Sequence, residues 1–399
     1  MKRTAFAAAL VLILTVPVRA AFVRSVMDQV DTEPLFDSEY FLDLRGFSWA
    51  RAWDDPWAAS SGGYRINGAS LDCCALLLDQ NLTLKRRLTP KLEFRFRFTD
   101  IGDKDRQEQH HWLEIETDIG AGFSVEVFGE PAFRKEDADI GLGLRWRKRG
   151  WQARARRNAV DFNFNSRGST TERYQRKPWT DELLLEAPLA GGKAWAALEA
   201  DQPTRREIPT QSRVFSYRRT RAWAGYARDQ GLAPRVEYGY EQQMKSDGFA
   251  TAAAGISEES RRQAHSLSGS LRLRLDNGDE LEPGAGFLVR AARTDKPRAP
   301  NDGVFYKRWE VQPWLRWRHA WSPMLTGELA GFISLGENRV RHPGGSVPEQ
   351  YGIIGEAKAS TGLDFTFSPS SRIGLYGNFD LDTPGKPWDG GSVRAMFLF

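Results

Sequence analysis

The stretch Lys91-Leu-Glu-Phe-Arg-Phe-Arg-Phe98 decides the fold. Leu92, Phe94, Phe96 and Phe98 fall on even positions, and Glu93, Arg95 and Arg97 fall on the odd ones between them. Successive side chains of an extended chain point to opposite faces, so this is a strand with one aromatic and one charged face. A soluble sheet packs its apolar face on a core and wets the other. The inverse arrangement puts the aromatics against lipid and the charges around an aqueous interior. The rest of the chain decides between them.

From about residue 75 onward the same grammar repeats: period-two segments of about 10 to 18 residues, joined by connections that are alternately short and long. The short ones are "LTPK" at 88–91, "IGAG" at 119–122, "KRGW" at 148–151, "AGGK" at 190–193, "QGLAP" at 230–234, "DNGDE" at 276–280, "WSPM" at 321–324 and "SPSSR" at 368–372. Gly supplies positive φ and Pro presets a turn's first φ, so each reads as a hairpin turn. Between them come longer polar connections such as "SRGSTTERYQRKP", "DQPTRREIPTQS", "KSDGFATAAAGISEESR" and "GENRVRHPGGSVPEQ". Strict short–long alternation predicts an all-β, antiparallel up-and-down barrel crossing a membrane, with tight periplasmic turns and longer extracellular loops. Eight hairpins, the final "GGSVRAMFLF" and a closing strand "EYFLDLRGFSW" at 39–49 give about eighteen strands, with sixteen as the alternative.

The alternation assigns faces. Apolar series include Leu113, Ile115 and Ile119; Ile140, Leu142, Leu144 and Trp146; Leu271, Leu273 and Leu275; and odd positions from Ile353 to Phe367. Trp151, Trp179, Trp309, Trp321 and Tyr351 gather near strand ends, where amphipathic rings suit a membrane interface. At the C-terminus Val393, Ala395, Phe397 and Phe399 share one face and the chain stops on Phe. This resembles the terminal strand of Gram-negative outer-membrane, porin-like barrels. The resemblance implies that the assembly machinery of that class reads this strand.

The start of the chain fits export. Met-Lys-Arg, the apolar "TAFAAALVLILTV" and the small-residue "PVRA" at 17–20 read as a cleaved signal peptide over residues 1–20. Residues 21–39 then form a short periplasmic segment and 40–399 one barrel domain, in the outer membrane of a Gram-negative cell. Without the signal's three cations the net charge falls from +4 to +1, so the basic pI does not point to nucleic acid. Of 56 basic residues 43 are Arg, which keeps its charge when desolvated and grips carboxylates with two bonds.

If lipid covers the apolar face, the polar face lines the interior. A basic wall is expected from Arg95, Arg97, Arg145, Arg147, Arg154 and Arg156, continuing through Arg272, Arg274, Arg290, Arg308, Arg316 and Arg318. An acidic wall is expected from Glu114, Glu116, Asp118, Glu126, Glu328, Glu356, Asp364 and Asp380. Some cross-strand pairing of Arg95 and Arg97 with Glu114 and Glu116 is anticipated. Separated walls would place a transverse field across the pore. The "ARAWDDPWAASSGGYRINGASLDCC" segment reads as the longest connection, folded into the mouth or left outside. Within it, the adjacent Cys73 and Cys74 allow a vicinal disulfide.

Five histidines carry no zinc spacing, and no Gly-x-Ser-x-Gly elbow or phosphate loop accompanies them, so an enzyme is not expected. The primary expectation is a cofactor-free, porin-like channel for small polar or anionic solutes. An export conduit for an anionic exopolysaccharide, served by a periplasmic partner, and a structural sheath for a redox protein are the alternatives. Other expected partners are outer-membrane lipid and lipopolysaccharide and further copies of the chain.

Overall fold

A computed structural model describes residues 62–398, apart from 103–106, 131–138, 160–172, 250–255, 298–302 and stretches of one to three residues in other connections, 72–74 among them. The segment read as a signal peptide, the stretch 39–49, Trp53, Trp57, Cys73, Cys74 and Phe399 lie outside the described residues. The described residues form strands almost throughout, and none of their helices is long and apolar enough to cross a membrane.

In chain order the strands are β1 (Gly62–Leu71), β2 (Ala75–Thr89), β3 (Leu92–Gly102), β4 (Gln107–Gly120), β5 (Phe123–Gly129), β6 (Ile140–Lys148), β7 (Trp151–Ala159), β8 (Arg173–Arg176) and β9 (Trp179–Leu189). They continue as β10 (Gly192–Ile208), β11 (Arg213–Ala227), β12 (Ala233–Phe249), β13 (Ile256–Arg274), β14 (Glu280–Asp295), β15 (Val304–Ser322), β16 (Leu325–Arg341), β17 (Gln350–Ser368), β18 (Ser371–Asp380) and β19 (Trp388–Leu398). Each pairs antiparallel with the next, except that β7 passes over β8 to β9. The last strand, β19, returns to β1, which also pairs with β2. These pairings close a ring of 18 up-and-down strands. The short β8 adds only a patch on the far end of β10, against Arg205–Glu207.

The strand that closes the ring corrects the sequence reading. It is β1, inside the segment read as the longest connection. Tyr64 belongs to this strand and donates to Gln80 Oε1 at 2.8 Å. The eight tight connections all fall between paired strands. At Ala121-Gly122, Arg149-Gly150 and Ala190-Gly191 both central residues have positive φ, the geometry that matches the twist of a two-residue hairpin. At Gly122 a Cβ would also lie 2.4 Å from the Arg147 carbonyl oxygen. Several expected long connections are partly strand instead. The "DQPTRREIPTQS" segment is strand as far as Ile208, and β12 and β13 run deep into "KSDGFATAAAGISEESR".

Strand length divides the ring. From β5 to β7 the strands have 7 to 9 residues, whereas β13, β15 and β17 have 19 each. At about 3.4 Å per residue that is roughly 25–30 Å against 65 Å. One wall is low and the other, β10–β17, rises well past it on the side of the longer loops.

Burial follows the alternation, inverted relative to a soluble sheet. Along β5 and β6 the apolar Val125, Val127, Ile140, Leu142 and Leu144 are exposed, while Ser124, Glu126 and Arg145 between them are buried. Leu142 is 63% exposed and Glu126 0%. The barrel is greasy outside and charged inside.

Candidate functional site: the ionic lining of the barrel

The interior of the low wall is one connected network. Adjacent strands β3 to β7 each send charges to the same inner face, with Arg95 opposite Glu114, Glu116 opposite Glu126 and Arg145 opposite Arg154 in the register. Arg95 bonds Glu93 at 2.7 Å, Glu116 at 2.5 Å and also Glu114. Arg145 reaches Glu116 at 2.5 Å, Glu114 at 3.5 Å and also Glu126. Arg156 completes it with Glu126 at 2.6 Å and Glu114 at 2.5 Å. Ser124 donates to Glu116 at 2.6 Å. Glu114, Glu116 and Glu126 therefore each face at least two guanidiniums, as planar Arg forks allow.

Space for this is built into the sequence. A Cβ at Gly143 would sit 2.9 Å from both Arg156 Cγ and Glu126 Oε2, so glycine there lets the pair close. Above it the Arg156 guanidinium lies 4.7 Å over the Phe128 ring, which stacks on Trp112 at 5.2 Å. Glu114, Glu116 and Glu126 place oxygens close enough to share a metal ion. Three guanidiniums already hold those oxygens, so positive charge stands where a cation would have to bind.

The tall wall is lined by more local contacts. Arg308 pairs with Glu310 at 2.9 Å, Arg318 with Glu328 at 2.8 Å, and Arg316 with Glu282, both partners of this last pair being buried. Glu310 also accepts from Gln312 at 2.5 Å and from Ser334. Arg274 pairs with Glu280 at 3.0 Å and Lys358 with Glu356 at 2.8 Å. Asp364 accepts from the Tyr376 hydroxyl at 2.5 Å, and Asp380 from the backbone of Asp382 at 2.9 Å. Arg290 is buried on the same face opposite Arg308. Arg272 is half-buried beside β12.

Separate basic and acidic walls are therefore not what the structure contains. Arg95, Arg145 and Arg156 are interleaved with Glu114, Glu116 and Glu126, and the β15 arginines have their own carboxylates. The reason is register. Antiparallel pairing places a basic position beside an acidic one on the neighbouring strand, which reading each strand separately does not reveal. Glu282 and Glu182, the cross-strand partners of Arg316 and Arg154, escape the sequence reading for this reason, whereas Glu310 meets Arg308 two residues away along β15 itself. The signal for all three is their position as inward-parity carboxylates beside inward arginines.

Of the expected basic residues, Arg97, Arg147 and Arg274 remain exposed on the inner face. Arg147 is 3.4 Å from Glu116 and bonds Gln152 at 3.1 Å. Asp118 lies in the last residues of β4, where it accepts from the Gly120 amide at 2.7 Å. On β19, Val393 and Phe397 are exposed and Ala395 is covered between its register neighbours Ile66 and Ile373.

No protein-family model and no curated protein matches the chain. Among solved structures the chain is similar to OccK5 (OpdH) of Pseudomonas aeruginosa, with 12% identity over 84% of this chain and 96% of that one and a TM-score of 0.40. It is similar to OmpT, an outer membrane protein of Vibrio cholerae, with 9% identity over 86% and 98% and a TM-score of 0.37. A bacterial polysaccharide outer membrane secretin gives 12% identity over 84% and 98% and a TM-score of 0.38. At these scores the architecture rests on the chain's own strand register: a closed barrel of 18 antiparallel strands, apolar outside and ionic within.

Proposed function

We propose that the protein is an outer-membrane channel that passes small polar or anionic solutes through its charge-lined interior. The single observation that carries this reading is a closed ring whose exposed face is apolar and whose buried face is charged. An apolar exterior of Leu142, Leu144, Leu267, Phe287 and Ile353 has a large free-energy gain from lipid and none from water. Eighteen strands enclose more cross-section than side chains fill in the eight-stranded case.

Selectivity on this reading comes from the charged groups of the inner surface that meet the pore water. Fixed ion pairs present alternating partial charge to a passing solute, which favours groups able to exchange hydration for hydrogen bonds. The inner arginines Arg97, Arg147 and Arg274 are the ones exposed to that water, where a guanidinium attracts an anionic group. Binding to such a wall is weak and repeated, which suits passage.

The test is conductance of the refolded full-length protein in planar bilayers under a salt gradient. Discrete single-channel steps with a reversal potential displaced toward anions are expected. Protein that inserts but gives no steps at any voltage would exclude a passive channel.

A further inference from the structure

The outward face of the tall wall carries a set of cations that the interior chemistry does not use. Hydrogen-bonded register aligns Arg218 of β11, Met244 of β12, Arg261 of β13, Arg293 of β14, Phe305 of β15 and Arg341 of β16 in one row. One step toward the tight turns, Lys307 stands directly opposite Arg339, which stands opposite Tyr351. The next step brings Tyr240, His265 and Trp309 into line, and the one after that Tyr238, Leu267, Phe287, Val311 and Leu335. Steps on one face are about 7 Å apart. The surface therefore changes from guanidinium to amphipathic ring to hydrocarbon within a short distance.

Two of these cross-strand pairs, Arg261 with Arg293 and Lys307 with Arg339, are like charges directly opposite each other, an arrangement that destabilises a sheet. Carboxylates relieve it only in part. Arg293 has Asp295 at 2.8 Å, and Arg339 lies 3.9 Å from Glu337, which already accepts from Trp309 at 3.2 Å and from Tyr351. Among the described residues no ion pair involves Arg218, Arg261, Lys307 or Arg341. The Arg218 guanidinium rests on Met244 Sδ at 2.7 and 3.0 Å, and that of Arg341 lies 5.8 Å over the Phe305 ring. At the β10–β14 end the row opens into a groove of about 710 Å³ lined by Arg205, Arg218, Arg261 and Arg293, with Glu259 and Asp295. The low wall differs: its outward cation Arg157 is clamped by Asp181 through two bonds of 2.6 and 2.9 Å.

We propose that this outward belt binds the phosphorylated sugar headgroup of an outer-leaflet glycolipid, an inference that rests on the outer-membrane reading above. A phosphate between Arg261 and Arg293 turns their repulsion into two charge-assisted bonds, since guanidinium forks match phosphate oxygens. The headgroup's sugars occupy the groove, which is far larger than a single ion needs. The acyl chains then lie along Leu267, Phe287, Val311 and Leu335, and Tyr240, His265 and Trp309 sit at the boundary, where amphipathic rings are favoured.

The test uses full-length protein refolded in detergent and, separately, in phosphatidylcholine vesicles. Bisphosphorylated lipid A and the same lipid stripped of its phosphates are the probes, with retention read by native mass spectrometry. The phosphorylated lipid should bind at least tenfold more tightly than the stripped one. The triple variant Arg218→Ala/Arg261→Ala/Lys307→Ala should lose at least tenfold, while Arg261→Lys and Arg157→Ala keep the wild-type preference. The single variant Arg261→Ala should weaken lipid binding while leaving the lipid-free barrel as stable or more so, and this variant decides the matter if the triple does not refold. Equal binding of both lipids, unchanged binding by Arg261→Ala, or full displacement by millimolar inorganic phosphate would overturn the proposal. Protein that inserts into vesicles yet fails to discriminate the lipids removes the belt alone, whereas protein that cannot insert removes the channel reading.

Discussion

The low wall, β3–β9, and the tall wall, β10–β17, handle the same arginine-rich composition in opposite ways. In the low wall the charge is drawn inward and shared. Three glutamates and three arginines form one buried network, and the outward Arg157 is neutralised by Asp181. In the tall wall the inner charges pair locally, while a row of cations that carboxylates offset only in part faces outward above the apolar rows. A shared buried network couples its members, so that removing one disturbs the rest. A local pair near a wider interior, and still more an exposed row, should respond to substitution one residue at a time. The low wall looks built to stay in place, and the tall wall to meet other molecules.

The largest effect should come from Glu126→Gln. It removes a buried negative charge that Arg145 and Arg156 both bond, and breaking a buried pair typically costs about 3–5 kcal/mol. Urea unfolding of the refolded barrel in detergent checks it. A cost below about 1 kcal/mol would mean that water reaches the network freely and that the two walls do not differ. Next, Glu282→Gln should cost about 1.5–3 kcal/mol, the range for a hydrogen bond to a charged group. The exchange Glu282→Arg/Arg316→Glu should recover much of that loss, and a double-mutant cycle without coupling would show the pair to be incidental. In bilayers, Arg97→Glu should move the reversal potential toward cations, and an unchanged potential would remove Arg97 from the conducting path.

A smaller effect concerns the rim at the tight turns. Burial of the Asp279 carboxylate opposes its charge, but hydrogen bonds from His319, Asn277 at 2.8 Å and Trp317 at 3.1 Å outweigh burial and hold it below the usual carboxylate range. A depressed folded-state pKa adds stability that is complete above the unfolded value near 3.9 and disappears as pH falls through the folded value. Asp279→Asn should therefore destabilise the barrel at neutral pH and leave it unchanged in strong acid. Heat-induced gel-mobility shifts at pH 7 and pH 2 would test the sign. Smallest of all, Arg157→Ala should leave the unfolding midpoint nearly unchanged because the pair is exposed. A clear drop would mean that lipid desolvates this pair.

Much of the barrel could be read along the chain. Alternation at Leu92 to Phe98 assigns faces because the side-chain period of a strand is two whatever its neighbours are. The eight tight turns are visible because Gly and Pro constrain φ locally. The closing strand was not visible in the same way. Gly62–Leu71, GGYRINGASL, has weak alternation and many small residues, and only its pairing with Ala395 and Val393 on one side and Leu82 on the other makes it a stave. The extra height of β12 and β13 was hidden too, since polar residues beyond an apolar band read as loop when taken singly.

The sequence by itself determined that the chain is a strand-rich barrel with an apolar and an arginine-rich face, because both follow from local periodicity and turn chemistry. It also named part of the inner lining, Arg145 and Glu126 among it. Only the tertiary structure decided which charges meet. Register across neighbouring strands sets Arg145 against Glu126 and Arg316 against Glu282, and it sets Arg261 beside Arg293 with no carboxylate between them. Register is a non-local quantity: a shift of one residue would reverse the face of every side chain in a strand. For that reason the distinction between a neutralised interior and a charged outer belt exists only in the folded ring.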